Sequence, residues 1–358
     1  MSTNEQRLLA AIRRNPLATQ QQLADELGLS RESVAGHIMR LTRQGKILGK
    51  GYLLPEQDRI VVIGGANVDL TGTSADRFRP GDSNPGHLTQ SAGGVGRNIA
   101  ENLARLGHDV TLVTLLGHDA NGDWLRDRIQ AAGIRTEGLL RHADRPTSSY
   151  LAMNDERGQL IGAIADMGII DDLTPERLGP LQSLLVSATT VVVEANVPQP
   201  TLAWLADLPL RGRLYADAVS TAKAPRLTPL LQHLTGLKVN QNEAAAILNE
   251  PEADRATLVD RLLAFGLETL ALSLGEEGLL LAGLEEQCQR PVYRADVRSD
   301  TGAGDALLAG LIHGQLTDRT LDDQAAFALG CAGMTLESDR ANHPQLTEPQ
   351  VLEWIAQR

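Results

Sequence analysis

Residues 299–305 read Ser299-Asp300-Thr301-Gly302-Ala303-Gly304-Asp305 and are followed by the apolar run 306–311. Three small residues stand where a helix would begin, and an aspartate closes the turn. Such a turn leaves backbone N–H groups unpaired and points them, with the positive end of the helix dipole, at one location. That location suits a phosphate, and a carboxylate beside it can accept the proton of an attacking hydroxyl. On these residues alone, a phosphate site and a plain glycine-rich turn before a packed helix stay equally open.

Length and composition indicate a helix-rich α/β protein. The 358 residues suffice for a large α/β domain and a smaller one. The sequence has no apolar run of membrane-spanning length, and its first five residues are polar rather than the start of a signal peptide. Cys288 and Cys331 lack metal-ligand spacing and are typical of a reducing compartment. We therefore expect a cytoplasmic protein that binds no membrane.

Charge divides the chain into a mildly basic head and an acidic body. The net charge is −12, yet residues 1–59 carry nine Lys/Arg against six Asp/Glu. This asymmetry indicates a separate module with a different partner. The polar stretch 55–59 is predicted to be a linker.

Residues 1–55 carry the pattern of three short helices and a wing. Apolar spacing predicts the first helix, Thr19 opens a capping box for the second, and Gly28 ends that helix. Ser30 can cap a third helix, and residues 45–54 predict a two-stranded wing with basic tips. Helix, glycine turn and helix at this spacing is a helix-turn-helix pattern.

The third predicted helix has polar and basic residues at positions expected to face outward: Arg31, Ser33, His37, Arg40 and Arg43. Arginine and serine side chains can reach base edges or phosphates in a major groove. The segment resembles the winged helix-turn-helix heads of bacterial transcription regulators, which implies that residues 1–55 bind DNA. A three-helix module for dimerisation or docking stays open, because the basic excess is modest for a reader of duplex DNA.

Between residues 60 and 358, predicted strands alternate with helices. The strands are predicted over residues 60–63, 110–115, 189–194, 214–217, 237–239 and 270–274. This alternation predicts an α/β domain in which a mostly parallel sheet is flanked by helices on both faces. A turn-rich stretch at about 70–90 and a hairpin within about 146–166 do not fit the alternation, and they predict a small β lid over the site.

Polar residues and glycines follow these strands, where ligands gather in an open α/β sheet. Asn67 and Asp69 come just after the first strand, and Asp69 can either accept hydrogen bonds from two sugar hydroxyls or cap a turn. Gly93-Gly94 precedes a helix and lets a ligand approach the backbone closely. Asn98, in the first turn of that helix, is expected to face the same gap.

Asn240 and Glu243 stand three residues apart where a strand enters a helix. There an amide can face phosphate oxygens, and a carboxylate can hold Mg²⁺ through water. A capping asparagine beside a solvated glutamate is the alternative. Ser273 and Gly275 form a further strand-end turn that suits a nucleotide, and Glu194, at the end of a buried strand, is a candidate to orient a water or a metal ion.

Three motifs, in this order and at these separations, resemble those of the ribokinase-like (phosphofructokinase-B type) sugar and nucleoside kinases: Gly93-Gly94…Asn98, Asn240…Glu243 and Thr301-Gly-Ala-Gly-Asp305. The resemblance covers about residues 60–358 and implies phosphoryl transfer from ATP with Mg²⁺. It implies that Asp305 is the base for the substrate's primary hydroxyl.

The resemblance also implies the other roles. Gly302, Ala303 and Gly304 would form the anion hole. The ATP site would include Asn240, Ser273, Gly275, Thr301, Gly302 and Gly304, with Glu243 serving Mg²⁺. The ribose hydroxyls would be held by Asp69, Gly94 and Asn98, with Asn67 beside them. A homodimer is the assembly expected of such a kinase.

A narrower resemblance is to the bacterial pseudouridine kinases, carried by residues 64–69, 82–86, 93–100, 147–150 and 163–167. Several of these segments lie in the predicted lid, which would cover the base. Pseudouridine offers one more ring N–H than uridine, so an acceptor on the lid is expected. Asn84, Ser149 and Asp166 are the candidates.

One residue departs from the family pattern. The family often places an aspartate two residues before the threonine of its Thr-Gly-Ala-Gly-Asp motif, where it helps to hold a monovalent cation. Here Ser299 stands at that place and Asp300 comes one residue later. The resemblance therefore does not carry a K⁺ requirement over to this chain.

The sequence as a whole predicts an ATP- and Mg²⁺-dependent kinase for the 5′-hydroxyl of a nucleoside, with pseudouridine as the first choice. A kinase for another nucleoside such as inosine, or for a free sugar, stays open. In a different class, the chain could be a ligand-sensing transcription regulator with a kinase-fold sensor. The intact Asp305 motif argues against lost chemistry, whereas the basic head favours a combined kinase and regulator.

Overall fold

The computed structural model describes residues 3–15, 18–47 and 59–358. The chain divides into two compact units, residues 1–58 and residues 59–358. The predicted wing, from residue 48 onward, and most of the predicted linker lie outside the described residues.

The head contains three helices among its described residues: α1 (Thr3–Arg14), α2 (Gln20–Leu27) and α3 (Arg31–Arg43). The predicted capping box forms, because the Thr19 hydroxyl accepts from the backbone N–H of Gln22 and the Gln22 side chain accepts from that of Thr19. Gly28 ends α2 at φ 66°, and the Ser30 hydroxyl caps α3. The buried faces of the three helices meet in a core of their own.

The body contains thirteen strands within residues 59–358, all of which are described. They are β1 (Arg59–Ile63), β2 (Asn67–Ser74), β3 (Gly86–Gly93), β4 (Asp109–Gly117), β5 (Leu139–His142), β6 (Ser149–Asn154), β7 (Leu160–Asp166), β8 (Thr190–Glu194), β9 (Arg213–Asp217), β10 (Gly236–Asn240), β11 (Thr269–Ser273), β12 (Leu279–Ala282) and β13 (Gln287–Arg290). Its α-helices are α4 (Val95–Arg105), α5 (Ala120–Ala131), α6 (Pro175–Leu178), α7 (Gln182–Ser187), α8 (Gln199–Ala206), α9 (Gln241–Leu248), α10 (Arg255–Leu263), α11 (Ala303–Leu316), α12 (Leu321–Leu336) and α13 (Glu348–Ala356). Among the described helices, none combines the length and the apolar character needed to cross a bilayer.

Nine of these strands form the large sheet, in the order β13-β12-β11-β10-β9-β8-β1-β4-β5. From β11 to β5 every neighbouring pair is parallel, and only β12 and β13 add antiparallel edges. Alternate residues of β1 enter different cores: Val61 and Ile63 pack on one face of the sheet, and Ile60 and Val62 on the other. The mostly parallel sheet with helices on both faces, predicted from the alternation, is therefore confirmed.

The other four strands form a separate small sheet, in the order β3-β2-β6-β7. It contains most of the two segments, about 70–90 and 146–166, that are predicted to form a small β lid, and we call this sheet the lid. One detail differs from the sequence interpretation: Asn67 and Asp69 belong to lid strand β2, not to a turn after β1. Because side chains alternate along a strand, the two residues share one face of the lid.

Candidate active site

The turn before α11 has the geometry expected of an anion-binding turn. Gly302 is the N-cap at φ 84°, Ala303 begins the helix, and Asp305 lies in the first turn. A Cβ atom on Gly302 would overlap the backbone of Ala341, so only glycine fits there. We call residues 301–304 the anion turn after their predicted role, and they lie at the positive end of a 14-residue helix. The N–H of Thr301 donates to Ser299 Oγ at 3.2 Å, and that of Ala303 donates to the carbonyl of Asp300 at 3.4 Å.

Asp305 is buried beside this turn with a hydrogen-bonded carboxylate. Its side chain accepts a 2.7 Å hydrogen bond from Nδ2 of Asn98. Burial raises the pKa of Asp305 to about 7, with Asp217 adding to the rise while Asn98 and the ammonium of Lys238 oppose it. A carboxyl whose pKa lies near neutrality can accept and release a proton at physiological pH, as a general base must.

An open cavity of about 470 Å³ lies in front of Asp305. The predicted residues that line it are Asn67, Asp69, Gly94, Asn98, Thr301, Gly302, Gly304 and Asp305. The structure therefore brings together two glycine-rich motifs that are about 200 residues apart in the chain. These motifs share the cavity with the polar end of the lid.

Asp69 and Asn67 form the lid side of this cavity. Asn67 Nδ2 donates to Asp69 Oδ1 at 2.6 Å. Burial raises the pKa of Asp69, and Asn67 and Arg97 counteract the rise. A Cβ atom on Gly93 would overlap the Asp69 carboxylate, and one on Gly94, at φ 100°, would overlap the backbone of Gly65. The two glycines are therefore required for the chain to pass beside the Asp69 carboxylate and the Gly65 backbone.

Three predicted lid contacts do not line the cavity. Ser149 alternates with Ser148 and Tyr150, and it is these two neighbours that line the cavity. Ser149 instead donates to the carbonyl of Thr147. The Asn84 amide makes its hydrogen bonds within its own loop. It accepts from the N–H of Arg79 and donates to two loop carbonyls.

Asp166, the third of them, pairs directly with Ser149 and is exposed. Because residues paired across a ladder point to the same face of the sheet, Asp166 shares the face of Ser149. The acceptors predicted for the lid thus lie elsewhere than on the cavity wall.

Asn240 and Glu243 hold each other rather than facing the cavity. The Asn240 side chain accepts from the N–H of Glu243 at 2.9 Å, and Glu243 Oε2 accepts from the N–H of Asn240 at 2.8 Å. Asn240 is therefore the helix cap that the sequence left as an alternative, but Glu243 is only 4% exposed rather than solvated. Burial raises the pKa of Glu243, and Lys238 opposes the rise.

Ser273 and Gly275 lie on the same edge of the sheet as Asn240. Ser273 pairs in register with Asn240, and its hydroxyl donates to the carbonyl of Val239. Gly275 follows at φ 59°. None of the three is among the residues that line the cavity.

Glu194 is fully buried and braces the backbone behind the cavity. Oε1 accepts from the N–H of Gly65 at 2.7 Å, and Oε2 accepts from the N–H of Asn196 at 2.6 Å. Burial raises the pKa of Glu194 to about 7, and these two hydrogen bonds oppose the rise. Each oxygen accepts from one main-chain N–H, and Glu194 is not among the residues that line the cavity.

Three charged cavity residues escaped the sequence interpretation, namely Asp217, Lys223 and Lys238. Asp217 ends β9 and is 1% exposed, and Lys238 lies on β10 with its ammonium 3.1 Å from Asp217 Oδ2. A Cβ atom on Gly304 would lie 2.9 Å from Lys238 Nζ, so the ammonium sits against the anion turn. The signal was a lysine between two apolar residues of strand β10, a position that a solvated lysine would not occupy.

The five residues of α3 that are predicted to contact DNA differ in their exposure. Arg31 and Arg43 are exposed on α3, and Ser33 is half-buried, which leaves these side chains at the surface of the head. The prediction that His37 faces outward is wrong. His37 is only 9% exposed, because its side chain packs toward α1 and places Nδ1 3.6 Å from Glu5 Oε1. Arg40 also contacts Glu5, at 3.1 Å, but most of its side chain stays exposed.

Known protein families match each of the two units of the chain. The pfkB family carbohydrate kinase model matches residues 57–348, and a winged helix-turn-helix DNA-binding model matches residues 1–47. The uncharacterized sugar kinase YeiI of Escherichia coli (strain K12) is 36% identical over 359 residues, covering 99% of both chains. The pseudouridine kinase of the same strain is 32% identical over 305 residues, covering 84% of this chain and 97% of its own.

Solved structures give the same fold. A carbohydrate kinase from Agrobacterium tumefaciens superposes with a TM-score of 0.76 at 28% identity, covering 84% of this chain and 97% of its own. A ribokinase from Cryptococcus neoformans var. grubii in complex with ADP superposes with a TM-score of 0.65 at 25% identity, covering 83% and 99%. With both glycine-rich motifs on one cavity and a family match over most of its length, this chain belongs to the pfkB family of carbohydrate kinases, and it carries a winged helix-turn-helix segment at its N-terminus.

Proposed function

We propose that this chain is an ATP-dependent kinase that phosphorylates the 5′-hydroxyl of a nucleoside, with pseudouridine as the preferred substrate. One observation carries the proposal: Asp305 lies beside the anion turn and faces the same cavity as Asp69. A base, an anion site and a hydroxyl acceptor on one cavity are what phosphoryl transfer to an alcohol requires.

In the transfer step, Asp305 accepts the proton of the substrate's primary hydroxyl. At the same time, the oxygen of that hydroxyl bonds to the γ-phosphorus of ATP. The bond between that phosphorus and the bridging oxygen breaks, and ADP leaves. The N–H groups of the anion turn and the ammonium of Lys238 stabilise the charge of the group in transit. Asp69, Asn67 and the N–H of Gly94 hold the ribose hydroxyls so that the 5′-oxygen faces Asp305.

The nucleotide would lie along the carboxyl edge formed by Asn240, Ser273 and Gly275. A pfkB-fold ribokinase that binds ADP supports this nucleotide class. When bound, Mg²⁺ would neutralise phosphate charge, and Glu243, which is buried and caps the N–H of Asn240, would reach it only through water. The described residues contain no cluster of three or more His, Cys, Asp or Glu able to hold a metal, which fits an ion held mainly by phosphates and water.

Pseudouridine is preferred because a pseudouridine kinase is 32% identical over nearly its whole length. Ser148 and Tyr150 line the cavity from the lid and supply hydroxyl groups near where a base would lie. Another nucleoside or a free sugar is the second candidate, supported by the 36% identity to a sugar kinase.

Incubation with ATP and a panel of nucleosides and sugars, read by mass spectrometry, tests the proposal. We expect pseudouridine 5′-phosphate as the main product. Asp305→Asn should lower turnover about 10²–10⁴-fold while nucleoside binding is retained, because it removes the base and leaves the cavity in place. No transfer to any acceptor, with nucleoside still altering DNA binding, would instead support a sensor that regulates transcription.

We further propose that the head binds DNA and that the protein acts in the cytoplasm as kinase and regulator. Exposed Arg31 and Arg43 on α3 and the match to a DNA-binding model support the first part. The combination of an ATP-using enzyme and a DNA-binding head supports the second.

The assembly we propose is a homodimer joined through the lids. One lid face exposes Leu88, Leu151, Met153 and Ile164. Strand register pairs Leu151 with Ile164 and places Leu88 and Met153 on either side of Gly72. Leu88 is 76% exposed and Ile164 is 65% exposed. Contiguous exposed apolar residues of this kind mark interaction surfaces.

A further inference from the structure

Arg97 and Asn342 form a buried polar connection beneath the cavity. Arg97 is 3% exposed and Asn342 is 6% exposed, although both side chains are strongly polar. Arg97 Nη2 donates to Asn342 Oδ1 at 2.9 Å, across 245 residues of sequence. A buried guanidinium and a buried amide persist only where their hydrogen-bonding groups are satisfied, so this contact is a specific feature of the fold.

Asn342 uses both ends of its amide. Its Nδ2 donates to the carbonyl of Asn98 at 2.9 Å and to Oδ1 of Asn102 at 2.8 Å. It thereby fastens the loop around Ala341 to the first turns of α4. The backbone of Ala341 is the surface on which Gly302 rests. One asparagine therefore ties the anion turn to the helix that carries Asn98.

Arg97 decides which way the Asn98 amide points. Its Nη2 also donates to Asn98 Oδ1, its Nε donates to the carbonyl of Gly93 at 2.9 Å, and its Nη1 donates to Glu101 at 2.5 Å. An arginine can only donate, so the Asn98 oxygen must face it. The Asn98 nitrogen is then left to donate to Asp305.

The other charged groups around Asp305 come from different strands. Asp217 on β9 and Glu194 on β8 raise its pKa beyond the effect of burial, and Lys238 on β10 lowers it. Arg97 on α4 is electrostatically coupled to Asp305 as well. The donor from Asn98 is therefore one of three named influences that favour the ionised base, beside the cations of Lys238 and Arg97.

We propose that Arg97 and Asn342 are positioning residues for phosphoryl transfer: together they aim the Asn98 amide at Asp305 and seat the anion turn, so that base and anion site keep one geometry. This inference rests on the proposed function and adds two residues to it. We call Arg97 and Asn342 together the clamp. If the clamp is removed, the Asn98 amide is free to turn its oxygen toward Asp305, which favours the protonated form of Asp305.

Asn342→Ala and Arg97→Lys test the clamp. Lysine keeps a cation beside Glu101 but cannot bridge Asn98 and Asn342 together. We expect kcat to fall about tenfold or more with the nucleoside KM changed less than about threefold, because the clamp acts on the reacting geometry rather than on binding. The acid limb of the pH profile of kcat/KM should move to higher pH by about one pH unit, the order of one hydrogen bond.

Arg105→Met is the matched control. Arg105 lies on the same helix, binds the same Glu101 and donates to the carbonyl of Pro344 in the same loop, but the structure gives it no hydrogen bond to Asn98. It should lower thermal stability without moving the pH profile. If the two clamp variants behave like Arg105→Met, with lower stability and an unmoved acid limb, the inference is overturned.

A second readout does not depend on turnover. In protein labelled with ¹³C at aspartate carboxyls, the Asp305 signal is assigned by its absence from Asp305→Asn. Its titration midpoint should rise in Asn342→Ala and Arg97→Lys and stay in place in Arg105→Met. Unchanged midpoints would contradict the clamp even if no kinase activity were found, whereas a shift without any activity would count against the proposed function alone.

Discussion

Asp305 combines a buried carboxylate with hydrogen-bond donors too few to keep its pKa low. The pKa rises from its ordinary value of 3.8 to about 7, chiefly because of burial. A folded-state pKa above the unfolded one means that the folded protein holds the proton more tightly. The stability from this group is therefore complete below about pH 4 and is lost as pH rises through about 7.

Replacing this carboxylate should stabilise the protein above neutral pH. Asp305→Asn carries no charge to bury. At pH 8 we therefore expect its free energy of unfolding to exceed that of the unmodified chain by an amount on the order of a few kcal/mol, and its unfolding temperature to be higher. The advantage should shrink toward pH 4. Differential scanning calorimetry across this range measures it.

Asp300→Asn serves as the matched control, because Asp300 is exposed and only five residues away. It should leave the pH dependence of stability unchanged. An advantage of Asp305→Asn that did not grow with pH would show that the carboxylate is not buried as described.

At the scale of elements, the start of α11 depends on a glycine that other residues cannot replace. Gly302 has φ 84°, and a Cβ atom there would overlap the Ala341 backbone. Gly133, after α5, has nearly the same φ of 82° but open space around its Cα among the described residues. The two positions separate backbone strain from steric overlap.

Gly133→Ala should therefore cost about 1–2 kcal/mol of unfolding free energy, the penalty for a left-handed alanine. Gly302→Ala should cost clearly more and should lower turnover about 10²-fold or more, because the anion turn must shift. Urea unfolding and steady-state kinetics on the same samples measure both. Equal losses of stability would contradict the close approach of the Ala341 loop.

The lid is the other element with a consequence that can be measured. Leu88→Lys together with Ile164→Lys places two charges on the proposed dimer face and should produce a monomer, seen by light scattering after size exclusion. Leu284 is 68% exposed on the large sheet's edge hairpin, so Leu284→Lys is the matched control and should leave the mass unchanged. A dimer that survives the lid substitutions would place the interface elsewhere.

At the scale of the whole molecule, the two units bury separate cores. The head core comprises residues between Leu8 and Ile47, and the body cores begin at Ile60. Each unit therefore has the apolar interior that an independent domain needs.

Residues 59–358 alone should therefore transfer phosphoryl groups within about twofold of the full chain and should lose DNA binding. In the full chain, Arg31→Ala with Arg43→Ala should weaken DNA binding and reduce its salt dependence by about two phosphate contacts, without changing turnover. Kinase assays and salt-dependent binding curves test both statements. A body that requires the head for turnover would indicate a direct catalytic contribution from the head.

Much of the architecture could be predicted because it depends on local chemistry. The capping box at Thr19, the stop at Gly28 and the anion turn at Gly302 follow from which residues tolerate which backbone angles. The alternating strands and helices follow from apolar periodicity. The family follows from glycine-rich motifs whose spacing is written in the chain.

Pairing and facing were decided only by the tertiary structure. The sequence analysis chose Ser149 as a lid contact, but its neighbours Ser148 and Tyr150 line the cavity, because side chains alternate along a strand. His37 turns inward because α1 packs against α3, and Lys238 meets Asp217 because β10 neighbours β9 in the sheet. Arg97 and Asn342 meet across 245 residues. The sequence by itself determined the elements, the turns and the family, because these depend on neighbouring residues. Which side chains share the site was left to strand order and long-range packing, since contacts between distant residues depend on the complete fold.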